Sequence, residues 1–231
     1  MMQLKKLFCA IAFALVIFSA PSALAADSLQ TVLRKLDAAS ANFRTTSADF
    51  EFDTVTTVPI YDKDVQKGTV YYKRDPKNSQ MAAHINEING RPVPKVVVSS
   101  GGTIKLFEKN VNQVTVLTRF SQYQSWFMLG FGASGKELED KWDIKYLGTE
   151  KIDGITTDKL EMTAKDPVVR KNILKLTLWM DSDRGVSVQQ LFDQGQGQTR
   201  TCHYMNIKVN QSVPSDAFTF KTNGQTRTIT Q

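Results

Sequence analysis

From Ala48 onward apolar side chains recur at every second position. Ala48, Phe50 and Phe52 fall on one face of an extended backbone, and Asp49, Glu51 and Asp53 on the other. Such alternation marks a strand with one apolar and one wet face. Similar runs follow at 68–73, 80–88, 95–99, 103–108, 113–118, 143–147, 155–163, 173–181, 186–193 and 199–209. Turn signals separate most of the early ones: Asp75-Pro76, Asn89-Gly90, Gly101-Gly102 and Asn110 to Asn112. Strands this short, joined by turns this tight, predict a long antiparallel meander of about 11 strands.

Two stretches depart from that period. Leu29, Val32, Leu33, Leu36, Ala39 and Phe43 recur at three- and four-residue steps, the spacing of one helix face, with Asp27 or Ser28 able to cap its start. Residues 122–142 hold Tyr123, Trp126, Phe127, Met128, Leu129 and Phe131, then a charged run ending at Trp142. They predict one or two short helices broken by Gly130, Gly132 and Gly135. Residues 166–170 read as a one-turn helix or long turn. The order argues for an α+β fold, with helices on one face of a curved sheet.

The N-terminus has the form of a secretory signal peptide. Lys5 and Lys6 precede an apolar run at 7–18 that is too short to span a bilayer, and Ala23-Leu24-Ala25 is a small-x-small cleavage site. Cleavage after Ala25 leaves a domain over 26–231 in an exported compartment. It removes both lysines, taking the net charge from +6 to +4, and it leaves Cys202 with no cysteine partner for an internal disulfide. His84, His203 and Cys202 are then the only soft ligands, too few for a structural zinc site. A charge of +4 is a weak footprint for nucleic acid, so none is expected as a partner.

Other polar motifs carry little chemistry. Gly130-Phe131-Gly132-Ala133-Ser134-Gly135 matches the dinucleotide pattern G-x-G-x-x-G, but antiparallel strands surround it, and a flexible hinge between helices explains it better. Asp181-Ser182-Asp183-Arg184-Gly185 lacks the distal ligands of a calcium loop and reads as a hairpin turn. Cys202 and His203 are adjacent, so on a strand they face opposite sides and cannot act as nucleophile and base. No cofactor and no enzymatic activity are expected.

The apolar positions are more informative. Tyr71, Met81, Ile85, Leu106, Val116, Leu160, Met162, Leu176 and Leu178 alternate with polar residues along the strands, and residues 123–131 add four aromatics with Met128 and Leu129. An ordinary core under a helical lid accounts for most of them. The alternative is a cleft for an acyl chain, which soft Met and aromatic side chains suit.

The order of motifs resembles the LolA-type outer-membrane lipoprotein carrier family. The resemblance is carried by Leu29-x-x-Val32-Leu33-x-x-Leu36 leading into Ala48-Asp49-Phe50, and by Gln66-Lys67-Gly68-Thr69-Val70-Tyr71-Tyr72-Lys73-Arg74-Asp75-Pro76. Val97-Val98-Ser99-Ser100-Gly101-Gly102-Thr103, Phe127-Met128-Leu129 and Pro214-Ser215-Asp216-Ala217-Phe218-Thr219-Phe220 complete it. Asp75 is inserted before Pro76, Lys77, Asn78 and Ser79 stand where an aromatic is expected, and Gly101 replaces a turn Asp.

The resemblance implies an unclosed antiparallel β-barrel whose apolar concave face is lidded by helices. It implies a monomeric periplasmic carrier that shields lipoprotein acyl chains between the inner and outer membranes. An inner-membrane ABC transporter would load it, and an outer-membrane receptor would take the acylated lipoprotein or lipid cargo. The lid is placed at 121–142 with the N-terminal helix, and Arg74 matches the strand arginine that latches it. The lipid-contact candidates are Phe50, Phe52, Tyr71, Met81, Leu106, Val116, Trp126, Phe127, Met128, Leu129, Phe131, Leu160, Met162 and Leu176. The alternative on the same scaffold is a sensing module that binds lipoprotein or lipopolysaccharide and signals through a partner protein.

Overall fold

The computed structural model describes residues 22–75, 77–118 and 129–231, with side chains from residue 28 onward. Helix α1 (Ser22–Asn42) leads into strands β1 (Thr45–Thr56), β2 (Asp62–Lys73), β3 (Gln80–Ile88), β4 (Arg91–Ser100), β5 (Thr103–Glu108) and β6 (Gln113–Leu117). Helix α2 (Gly135–Lys141), strands β7 (Trp142–Ile152) and β8 (Ile155–Ala164) and the one-turn helix α3 (Pro167–Arg170) follow. Strands β9 (Lys175–Asp181), β10 (Val186–Gly195), β11 (Gln198–Val209) and β12 (Arg227–Thr230) complete the chain.

The 12 strands of the described residues form one unclosed sheet, in the order β12-β6-β5-β4-β3-β2-β1-β11-β10-β9-β8-β7. The expected α+β open barrel is therefore the observed one, with two differences. The meander is split: β1 pairs with both β2 and β11, so the first strand lies mid-sheet and joins two smaller meanders. A twelfth strand also exists. β12 runs parallel to β6, with Arg227 opposite Gln113 and Thr230 opposite Val116.

Local chemistry sets the hairpins. Asn89-Gly90, Asp153-Gly154 and Gln196-Gly197 each place two successive residues at positive φ between paired strands. Such two-residue turns match the right-handed twist of the strands they join. In the turn at 181–185, Arg184 Nε donates to Asp181 Oδ2 at 2.6 Å, so the carboxylate is already occupied by the hairpin's own arginine.

The concave face is divided between core and cleft. The expected face of α1 is buried: Val32, Leu33 and Leu36 pack on Leu160, Met162, Leu176, Leu178 and Met180 of the C-terminal meander. A second buried cluster joins Phe43 and Phe131 to Phe50, Val70, Tyr72, Met81 and Tyr204 at the centre of the sheet. The convex face carries the return of the chain to β12. Ala217 O lies 2.8 Å from His84 Nε2, and the Phe220 ring stacks on Phe107 at 5.0 Å between centroids. That crossing brings the C-terminal strand to the edge of β6 in parallel rather than in hairpin order.

Candidate functional site

The inward positions of the N-terminal meander, with those of β10 and β11, line a cleft of about 390 Å3. Its walls are Phe50 and Phe52 of β1, Val70 of β2, Met81, Ala83 and Ile85 of β3, Val97 of β4, and Ile104 and Leu106 of β5. Phe192, Cys202 and Tyr204 close the other side. Gly68 lets β3 approach β2 closely. It stands opposite Phe50 across the β1–β2 ladder, and a Cβ there would overlap the backbone of His84. Few polar groups interrupt this surface. Gln190 donates to Leu129 O at 2.6 Å, whereas Ser99 Oγ and Gln194 Oε1 are buried without a partner among the described residues.

Cys202 belongs to this wall as packing. Burial pushes its thiol up to about 12, and Tyr204, to which it is hydrogen-bonded, is likewise raised well above its ordinary value by burial. The thiol is protonated at neutral pH and unreactive. His203 faces away from the cleft, 2.7 Å from the Asp153 carboxylate, and His84 is on the convex face against Tyr71. The three groups do not converge.

Arg74 closes the helix end of the concave face. Its Nη1 donates to Ser40 O at 2.8 Å and Ser40 Oγ at 3.0 Å, and its Nη2 donates to Gly132 O. Ser40 is in the last turn of α1, where unpaired carbonyls attract a cation. The guanidinium also lies 5.7 Å from the Phe43 ring centroid. The inserted Asp75 does not engage Arg74. Its Oδ1 accepts from Lys77 N at 2.8 Å and Asn78 N at 3.2 Å, forming the turn that follows β2.

The glycine-rich segment is tightly packed rather than a free hinge. Gly132 has φ +69°, and a Cβ on it would overlap the Phe43 ring. Its N–H donates to Gly185 O at 2.8 Å, so Gly132 links α1, Arg74 and the β9–β10 turn. Ser134 then caps α2 in a reciprocal capping box with Glu137. Among the described residues no strand leads into this segment.

Of the lipid-contact candidates, Phe50, Phe52, Met81 and Leu106 line the cleft. Phe131 is buried behind it, edge-on to Tyr204 at 5.0 Å, and Leu129 is buried beneath α1. Leu160, Met162 and Leu176 are in the core that α1 covers. Tyr71 lies on the convex face, and Val116 alternates with the cleft-lining Leu117 and so points the other way. Trp126, Phe127 and Met128 lie outside the described residues, as does most of the expected helix before Gly130. The β10 and β11 contributions, Phe192, Gln194, Arg200 and Tyr204, were missed. Their alternation is visible in the sequence, but their place beside Phe52 depends on the long-range β1–β11 pairing.

The fold is an open barrel with an apolar cleft on its concave face. Residues 54–220 match the MucB/RseB N-terminal domain, and the chain belongs to that family. The unclosed sheet is the fold that the sequence resemblance implied. An uncharacterised protein of Methanocaldococcus jannaschii is 27% identical over 125 residues, which cover 54% of this chain and 35% of that one. An uncharacterised conserved protein from Thermus thermophilus has a similar structure, with a TM-score of 0.55 and 9% identity, over 88% of this chain and 99% of that one. The Pseudomonas aeruginosa MucA/MucB complex is similar with a TM-score of 0.50 and 13% identity, over 84% of this chain and 61% of that one. These likenesses show the fold. The chain spans about a third of its Methanocaldococcus relative. Among the described residues, no helix is long and apolar enough to cross a membrane.

Proposed function

We propose that this chain is an exported, non-enzymatic module that shields the acyl chain of a lipoprotein or lipid in the cleft between β1–β6 and β10–β11. The apolar cleft of about 390 Å3 carries the reading. A methylene fills about the space of a water molecule, roughly 30 Å3, so the cleft accommodates on the order of a dozen carbons of one chain. At roughly 0.8 kcal/mol per methylene that is ~10 kcal/mol before the cost of association, which suits reversible binding.

In this reading Phe50, Phe52, Met81 and Leu106 contact the chain, and Arg74 is the latch that holds α1 and residues 129–135 against the barrel. The module works in the periplasm after signal-peptide cleavage following Ala25. It takes cargo from an inner-membrane ABC transporter and passes it to an outer-membrane receptor. The test is displacement of a fluorescent fatty-acid probe by a triacylated lipoprotein, with mass spectrometry of the purified protein. Probe binding with displacement supports the reading. No probe binding and no co-purifying acyl species overturns it.

A second reading is favoured by the family match and by the structural likeness to MucB in a complex with MucA. The same cleft would then sense lipid or lipoprotein and signal through a partner protein. Cross-linking in cells separates the two: a carrier is captured on the export transporter, a sensor on a signalling partner.

A further inference from the structure

We propose that the cleft prefers an acyl chain that ends in an anionic headgroup, a carboxylate or phosphate held by Arg200. This rests on the acyl-binding reading above. The inward side chains of β11 form a gradient. Tyr204 and Cys202 are buried, and Arg200, two residues further toward the β10–β11 turn, is exposed at the mouth. Arg200 stands opposite Phe192 on one side and Thr54 on the other, and it lines the cleft together with Phe192.

Among the described residues Arg200 makes no hydrogen bond or ion pair. Asp64, opposite Thr54 on the next strand, accepts from Asn89 Nδ2 at 2.5 Å. Asp53 and Asp193, each one residue from the inward Thr54 and Phe192, take the other face of the sheet, where Asp53 pairs with Lys63 at 2.7 Å. The arginine fork is thus left free at the end of an apolar groove, the arrangement that a carboxylate or phosphate on an alkyl chain completes.

A second observation points to the same place. Gln194, also at this end, has its Oε1 buried without a partner among the described residues. A buried acceptor is costly unless a donor reaches it. A glycerol hydroxyl beside a phosphate supplies that donor, whereas a fatty-acid carboxylate does not. The tail would then run past Phe52 and Phe50 toward Tyr204, with the head at the hairpin end and the chain end near the Arg74 latch. The volume favours one chain over two.

The experiment measures equilibrium binding of ligands sharing one palmitoyl chain: palmitate, palmitoyl-lysophosphatidylglycerol and neutral monopalmitoylglycerol. Both anions are expected to bind about tenfold tighter than the neutral lipid, with the preference shrinking in salt. R200Q removes the preference and leaves the neutral lipid unchanged, whereas R200K keeps part of it. Q194L weakens the lysophospholipid and spares palmitate, which separates the two anion sources. Equal affinity for all three in the native protein, or uniform weakening by R200Q, overturns the headgroup assignment while acyl binding stands. Failure of every ligand to bind overturns both.

Discussion

Arg74 and Ser40 donate to the same oxygen, the carbonyl of Gly132. One residue follows β2 and the other ends α1, so a single backbone acceptor joins the sheet, the helix and the glycine-rich segment. In R74L the carbonyls of Ser40 and Gly132 lose their charged donor. The expected loss is about 2 kcal/mol, read as a lower urea midpoint, with faster amide exchange at residues 130–133. R74K, which keeps the charge but not the fork, should lose less. Equal midpoints for R74L and the native protein would show that the latch contributes nothing to stability.

Filling the cleft should abolish binding without unfolding the protein. Ala83 lines the cleft mid-sheet, with open volume in front of it. A83F is expected to weaken fatty-acid probe binding by about a hundredfold, with the melting temperature shifted by no more than a few degrees. Unchanged probe binding would place the ligand elsewhere.

Cys202 gives alkaline stability a slope. Its thiol is raised to about 12 in the fold from an ordinary 9.0. Between those values the unfolded chain has lost the proton and the native chain keeps it, so stability falls as pH rises. Below pH 9 the contribution is constant. Urea midpoints measured from about pH 8 to 11 should fall in the native protein and fall less in C202A. Tyr204, raised in the same direction, leaves a residual slope above about pH 10.

The C-terminal crossing protects a sheet edge. Phe220 stacked on Phe107 holds the segment that delivers β12 to β6. F220A should cost about 1–2 kcal/mol. Truncation after Asn223 should leave β6 unpaired and promote association that grows with concentration, measured by light scattering. A truncated chain that stays monomeric would show that β12 is dispensable as a cover.

The alternation of Phe50, Phe52 and Met81 told which side of the sheet they take, because period two fixes a face locally. It did not tell what covers that face. Leu160, Met162 and Leu176 have the same pattern, yet α1 lies over their half of the barrel and makes them core. For Val116 and Leu117, both apolar, the local pattern does not choose the inward one, and the choice follows from pairing Leu117 with Ile104. Tyr71 and Tyr72 pose the same ambiguity. Arg200 and Gln194 were illegible for a different reason: polar residues in a strand look solvent-facing until β11 is paired beside β1.

That pairing has a consequence for how the chain comes into being. Thr46 finds its β11 partner only at Val209. A chain emerging from its N-terminus can build β1–β6 early, but the seam that closes the cleft waits for nearly the full length. Contacts this distant in sequence form slowly. The N-terminal meander can therefore form before the pocket, which exists only after the last long strand has found the first.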